Sequence, residues 1–134
     1  MVVDDDPDVR LLVRSFLSRE NGDVIEATTG AEALALAREQ RPDLVLLDLR
    51  LPGMDGHAVL RELRSDPSFS GLPVVVVSAF ADRSSIDAAF AEGATRYVTK
   101  PFDRDELIEV IAEEIRRARA ADSTLSEESN PSRA

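Results

Sequence analysis

Leu44-Val45-Leu46-Leu47-Asp48 and Val74-Val75-Val76-Val77-Ser78 are the stretches on which the fold turns. Each is an apolar run without polar alternation, ending in a residue capable of chemistry. A strand with one wet face alternates apolar and polar residues; an unbroken apolar run indicates cover on both faces. Such strands belong to a parallel sheet with helices on each side. Working outward, Met1–Asp4, Asp23–Ala27 and Arg96–Thr99 read as three further strands. Only Met1, Val2 and Val3 precede the first acidic residue, which is short for a central strand. Either the start as given is late or the strand is trimmed.

The intervening segments carry a helical period. Val9, Leu12, Val13 and Phe16 recur at i, i+3, i+4 and i+7, behind a proline suited to a first helical turn. Ala31–Gln40 is rich in strong helix formers and stops before Pro42. His57–Ser65 places Leu60 and Leu63 on one side, and Asp82–Glu92 ends at Gly93. Asp103–Ala121 repeats Ile108, Ile111, Ala112 and Ile115. Five successive strand–helix units with right-handed crossovers leave few topologies. The prediction is an α/β fold, a doubly wound five-stranded parallel sheet in the order 2-1-3-4-5, flavodoxin-like (βα)5. One domain is expected over residues 1–121, followed by a disordered polar tail over 122–134.

Composition narrows the function. The chain has 134 residues, 43% hydrophobic and 31% charged, which suits one soluble core. It contains no cysteine, so disulfides and thiolate metal sites are excluded. No apolar run approaches the roughly 20 residues that cross a bilayer, and no signal peptide opens the chain. A cytoplasmic location without membrane insertion is expected. The formal net charge of −10 argues against direct contact with nucleic acid, which needs a basic footprint.

In doubly wound sheets, ligands collect beyond the carboxyl ends of the strands. Those ends carry Asp4, Asp5 and Asp6 on the first strand, Asp48 on the third, Ser78 on the fourth and Lys100 on the fifth. In the order 2-1-3-4-5 these strands are consecutive neighbours, so the groups converge. Clustered carboxylates repel and call for a cation. An all-oxygen carboxylate set suits Mg²⁺ beside a phosphate. The lysine supplies positive charge, the serine a hydroxyl donor, and Asp48 a carboxylate nucleophile for phosphorus.

Val3-Asp4-Asp5-Asp6-Pro7, Leu47-Asp48-Leu49-Arg50-Leu51-Pro52-Gly53-Met54-Asp55-Gly56, Val77-Ser78-Ala79 and Thr99-Lys100-Pro101-Phe102 resemble the motifs of response-regulator receiver domains. They stand in the family's order, and the similarity covers roughly residues 1–118. The resemblance implies that Asp48 is the phosphoryl acceptor. It implies that Asp5 holds Mg²⁺ directly (with Mn²⁺ as a substitute), Asp4 through water, and the Arg50 backbone carbonyl as a further ligand. Ser78 would move to bond the phosphoryl group, Lys100 would pair with it, and Lys100–Pro101 is a peptide bond often cis in the family. Tyr97 would be the switch aromatic that follows Ser78 inward. Arg50 and Phe80, each two residues beyond a motif residue, would flank the mouth and tune the lifetime of the phosphoryl group.

The resemblance also implies partners: a histidine kinase or histidine phosphotransfer protein as donor, and a downstream protein as target. The chain has one histidine, His57, at a helix start and not suited to donate. Output is expected through protein–protein contact, from either a stand-alone regulator or an excised receiver; homodimerisation on phosphorylation stays open. Beyond self-phosphorylation from a phosphodonor and autodephosphorylation, no enzyme activity is expected.

Several residues have plainer readings. Asp6 suits a cap for the helix at Pro7, Asp55 and Gly56 suit a turn and cap, and Tyr97 could pack as an ordinary strand residue. A dehalogenase-like phosphatase would not have Asp8 at the end of its Asp-x-Asp-x-Thr/Val motif. A calcium loop fails because its glycine position is Val9 and its final glutamate position is Ser15. The remaining alternative is a receiver-like interaction module that needs no phosphorylation.

Overall fold

The computed structural model describes residues 1–20 and 22–128, with side chains described as far as Ala121. Five strands form one parallel sheet: β1 (Val2–Val3), β2 (Glu26–Ala27), β3 (Val45–Leu47), β4 (Val74–Ser78) and β5 (Arg96–Thr99), in the order β2-β1-β3-β4-β5. Five helices alternate with them: α1 (Pro7–Arg19), α2 (Gly30–Gln40), α3 (Gly56–Ser65), α4 (Arg83–Ala91) and α5 (Arg104–Glu128). A single 3-10 turn over Pro67–Phe69, not foreseen from the sequence, leads into β4.

Side chains alternate across the sheet with period two, so an all-apolar strand feeds two cores. Val74 and Val76 join one cluster with Val3, Val45 and Leu47, covered by Ala33, Ala37, Val59, Leu60, Leu63 and Ala89 of α2, α3 and α4. Val75 and Val77 join the other with Val2, Leu46 and Val98, covered by Val9, Val13, Leu107, Val110 and Ile111 of α1 and α5. This double cover is why both valine-rich runs lack alternation.

The helix starts follow local chemistry. Asp6 caps α1 by accepting from the Asp8 N–H at 2.9 Å, and Asp55 caps α3 by accepting from the His57 N–H at 3.0 Å. Both residues therefore act as the caps their positions suggested.

β1 and β2 are shorter than the strands expected over Met1–Asp4 and Asp23–Ala27, because only their paired cores qualify as ladder. At the other end, α5 continues to Glu128, past the Ala121 expected to close it. No glycine or proline interrupts residues 104–128, so nothing forces an earlier stop. The polar tail expected over 122–134 is thus helical in backbone to Glu128, and 129–134 lie outside the described residues. Among the described residues no helix is long and apolar enough to cross a membrane.

Candidate functional site

The parallel register brings the strand ends together. Val3 pairs with Leu47, Leu47 with Val76, and Ser78 with Thr99. The residues that follow are held by the same ladder: the Asp48 N–H donates to Val3 O at 2.9 Å and the Lys100 N–H to Ser78 O at 2.7 Å. Asp4, Asp48 and Lys100 therefore stand side by side, although 96 positions separate the first from the last.

The carboxylates of Asp4, Asp5 and Asp48 each offer an oxygen, all within 4.8 Å of one another. Asp4 is 1% exposed and Asp48 6%, whereas Asp5 faces solvent. Lys100 Nζ donates to Asp4 Oδ2 at 3.0 Å and to Asp48 Oδ2 at 3.2 Å. The second oxygens are engaged by backbone: the Asp6 N–H donates to Asp4 Oδ1 at 2.9 Å, and the Arg50 N–H to Asp48 Oδ1 at 3.0 Å. Charged groups buried this deeply need such partners.

Burial raises the Asp4 carboxyl above its ordinary range. The charge of Asp48 adds to the rise, while the Asp6 N–H and Lys100 oppose it. For Lys100, burial alone lowers the pKa, but the bond and charge of Asp4 with those of Asp48 carry it above the ordinary lysine range. The two directions agree, because lysine titrates where Asp4 is already ionised.

The loop from Asp48 to α3 packs closely against the strand end. A Cβ on Gly56 would lie 2.5 Å from Leu49 Cα and 2.6 Å from Asp48 O. The Gly56 N–H donates to Leu49 O at 3.1 Å, which holds that approach. Gly53 adopts φ +81, the left-handed conformation that glycine tolerates. Lys100–Pro101 is cis.

Ser78 is fully buried, and its Oγ accepts from the Phe80 N–H at 3.2 Å rather than touching the aspartates. The half-buried Tyr97 donates its hydroxyl to Phe80 O at 2.6 Å. The Arg50 guanidinium lies over the Phe80 ring, 4.4 Å from its centroid. His57 lies apart from this cluster, hydrogen-bonded through Nδ1 to Glu92.

Two structural residues escaped the sequence reading. Arg64 donates to the carbonyls of Gly93 (2.9 Å), Phe69 (2.8 Å) and Leu72 (2.7 Å), tying α3 to the end of α4 and the approach to β4. Glu114 is buried beside Arg96 and Arg117, at 3.2 and 3.5 Å. A charged residue at either position reads as solvated helix face, and no spacing rule distinguishes them.

The profile of the response regulator receiver domain matches residues 1–112. The DNA-binding response regulator MtrA of Mycolicibacterium smegmatis is 43% identical over 117 residues, covering 87% of this chain and 50% of MtrA. A CheY-like receiver domain protein from Methanospirillum hungatei superposes with a TM-score of 0.81 at 27% identity, covering 90% of this chain and 94% of that one. The Mn²⁺-bound form of the response regulator Rcp1 superposes with a TM-score of 0.71 at 28% identity, covering 82% and 86%. The chain spans about half the length of the curated relatives it matches. The expectation of no direct nucleic-acid contact finds no support among them, since MtrA is named as DNA-binding. A net charge of −10 describes these 134 residues alone.

Proposed function

The chain belongs to the response regulator receiver family, and on that premise we propose that it is a switch that accepts a phosphoryl group on Asp48 from a histidine-phosphorylated partner. The observation that carries this reading is the placement of Lys100 Nζ between the buried carboxylates of Asp4 and Asp48, with Asp5 completing an all-oxygen triad.

In the transfer, an Asp48 carboxylate oxygen forms a bond to phosphorus while the bond from phosphorus to the donor imidazole nitrogen breaks. The imidazole leaves with the electron pair, and Asp48 becomes an acyl phosphate. Hydrolysis reverses the modification: water attacks phosphorus, releasing inorganic phosphate and the carboxylate. Lys100 places a fixed positive charge where the phosphoryl oxygens gather negative charge. The Arg50 N–H holds one Asp48 oxygen and so orients the carboxylate. Ser78 provides a hydroxyl one strand away, able to leave the Phe80 N–H for a phosphoryl oxygen.

Receiver domains bind a divalent ion in an acidic pocket, and the donor set here fits one: hard oxygens only, two of the three carboxylates buried. Asp5, Asp4, Asp48 and the Arg50 carbonyl would hold Mg²⁺, or Mn²⁺ in its place. Bound there, the ion supplies charge neutralisation for the transferring group.

The donor is a kinase or phosphotransfer protein bearing phosphohistidine, and the output is a changed protein-binding surface. Two conformations of the domain would be biased through Ser78 and Tyr97. Intact mass after incubation with Mg²⁺ and acetyl phosphate tests the reading. One added phosphoryl group is expected in the parent, none in Asp48→Asn and none with EDTA. If neither acetyl phosphate nor a panel of phosphohistidine donors modifies the folded parent, the phosphorylation-independent interaction module takes its place.

A further inference from the structure

Asp4 and Asp5 share a peptide whose carbonyl lies at the end of the sheet. The Asp4 N–H donates to Ala27 O at 3.1 Å, continuing the pairing of β1 with β2. A further rung would need a donor from β2, but β2 closes at Ala27 and the chain turns to Thr29, which caps α2. The donor to Asp4 O is instead Arg10, whose Nη1 lies 2.9 Å away. Helix side chains lean toward the N-terminus, so a residue at the end of the first turn of α1 reaches back over the loop from β1. Arg10 is itself held: its Nε lies 3.3 Å from Glu26 Oε1, and 19% of the Arg10 side chain is exposed. Glu26 is fixed in turn, on β2 opposite Val2 and by Arg14, whose Nη1 donates to both carboxylate oxygens at 3.0 and 2.8 Å.

We propose that Arg10 is a positioning residue for the cation site: oriented by Glu26, it fixes the Asp4–Asp5 peptide and so presents the Asp5 carboxylate to a divalent ion. The inference rests on the acidic triad being a cation site, and Arg10 is not one of its ligands.

The three carboxylates differ in their need for such a tie. Asp4 and Asp48 are buried, and the oxygens of each are engaged by Lys100 and a backbone N–H. Asp5 is exposed, so its carboxylate is placed by the backbone that carries it rather than by packing. Ala27 O and Arg10 Nη1 hold the peptides on either side of Asp4, and the second of these leads into Asp5. A guanidinium donating to a carbonyl makes a charge-assisted bond, stronger than the ladder bond whose place it takes.

Charge alone predicts the opposite of positioning. Arg10 is a cation, and its removal takes positive charge away from the approach of a divalent ion. Acting through its field only, Arg10 would weaken binding, and its loss would tighten it. Loss of the tie to Asp4 O loosens it. Glu26 separates the two further. A charge acts whether or not Arg10 is present, whereas a residue that acts through Arg10 matters only while Arg10 is there.

The test uses Mn²⁺ alone, with binding read from the electron paramagnetic resonance signal of the free ion. The full chain is compared with Arg10→Met, Glu26→Gln, the double variant of these two, Arg14→Gln and Asp5→Asn. Circular dichroism first confirms that each is folded, and Arg10→Gln replaces Arg10→Met if the latter is not. Groups that hold a metal's ligands carry about 10–100-fold in affinity, and a tie to one ligand's backbone belongs at the lower end, so Arg10→Met should weaken binding about tenfold. Glu26→Gln should weaken it less, and the double variant should bind as Arg10→Met does. Arg14→Gln changes an exposed pair and should stay within about twofold of the parent. Arg10→Met binding as tightly as the parent, or more tightly, would overturn the proposal. So would losses that multiply in the double variant, because Glu26 would then act as a charge in its own right. A loss in Arg14→Gln equal to that in Arg10→Met would also overturn it, since Arg14 does not touch Asp4 O. Asp5→Asn keeps the two failures apart, and should lose most of the affinity. If it binds as the parent does, or the parent binds no Mn²⁺, the cation site itself falls and the role of Arg10 with it.

Discussion

Gly56→Ala is the substitution whose consequence can be worked most directly from the structure. The new Cβ would sit 2.5 Å from Leu49 Cα, 2.6 Å from Asp48 O and 2.9 Å from Leu49 C. Unstrained carbon contacts lie at about 3.5–4.0 Å, so a gap of roughly 1 Å must open between the start of α3 and the end of β3. Both sides are backbone, and no flexible side chain can yield. Overpacking costs about 1–3 kcal/mol, and a backbone clash belongs at the upper end. Alanine's advantage over glycine in a helix, at most about 1 kcal/mol, offsets part of this. A net loss of about 2–3 kcal/mol is expected. With an unfolding entropy of about 2.1 cal/mol/K per residue over 134 residues, Tm should fall by roughly 7–11 °C. Gly53→Ala is the internal control. Its Cβ meets nothing within 4 Å, and only the φ of +81 opposes it, at about 1–2 kcal/mol. Paired thermal and urea unfolding of the two variants gives the ranking. Gly56→Ala should also lose phosphoryl uptake, because its clash displaces the Asp48 peptide, whereas Gly53→Ala should retain it. Gly56→Ala as stable as Gly53→Ala, or more stable, would refute the close approach.

Other perturbations test the charges and the packing. Lys100→Met leaves Asp4 and Asp48 buried without their cation, which should cost about 3 kcal/mol in EDTA; urea unfolding should show Mg²⁺ restoring much of it while intact mass shows phosphoryl uptake still lost. The raised pKa of Asp4 means the folded chain holds that proton more tightly than the unfolded chain. Its contribution is present below the unfolded value of about 4 and disappears as pH rises through the higher folded value. In EDTA, Asp4→Asn should therefore gain on the parent between pH 4 and pH 7, and urea midpoints at the two pH values that move in parallel would count against it. Arg64→Ala removes the donor to three backbone carbonyls and should cost about 2–4 kcal/mol, with hydrogen exchange at Gly93 and Ala94 faster than in the parent.

Much of the molecule is legible in its sequence, and for particular reasons. Val74–Val77 read as a strand covered twice, and Asp6 and Asp55 read more readily as cap or turn residues than as ligands, because these depend on spacing and local hydrogen bonding. Element bounds drifted where the backbone ladder decides them, as at β2, or where nothing local says stop, as at α5 beyond Ala121. Arg64 and Glu114 were invisible because a charged helix residue reads alike whether it faces water or a set of distant carbonyls and guanidinium groups.

The order of apolar runs and helical periods points to a doubly wound parallel sheet and leaves few strand orders, of which 2-1-3-4-5 brings Asp4, Asp48, Ser78 and Lys100 together at the carboxyl ends of the strands, as the structure has it. Those are properties of periodicity and crossover handedness, which a linear sequence carries. The tertiary structure alone decides which atoms share a bond: Lys100 between two carboxylates, Ser78 turned to the Phe80 N–H, Tyr97 on the Phe80 carbonyl and Arg50 over its ring. Register and rotamer set these contacts to within an ångström, and both arise from packing between residues far apart in the chain.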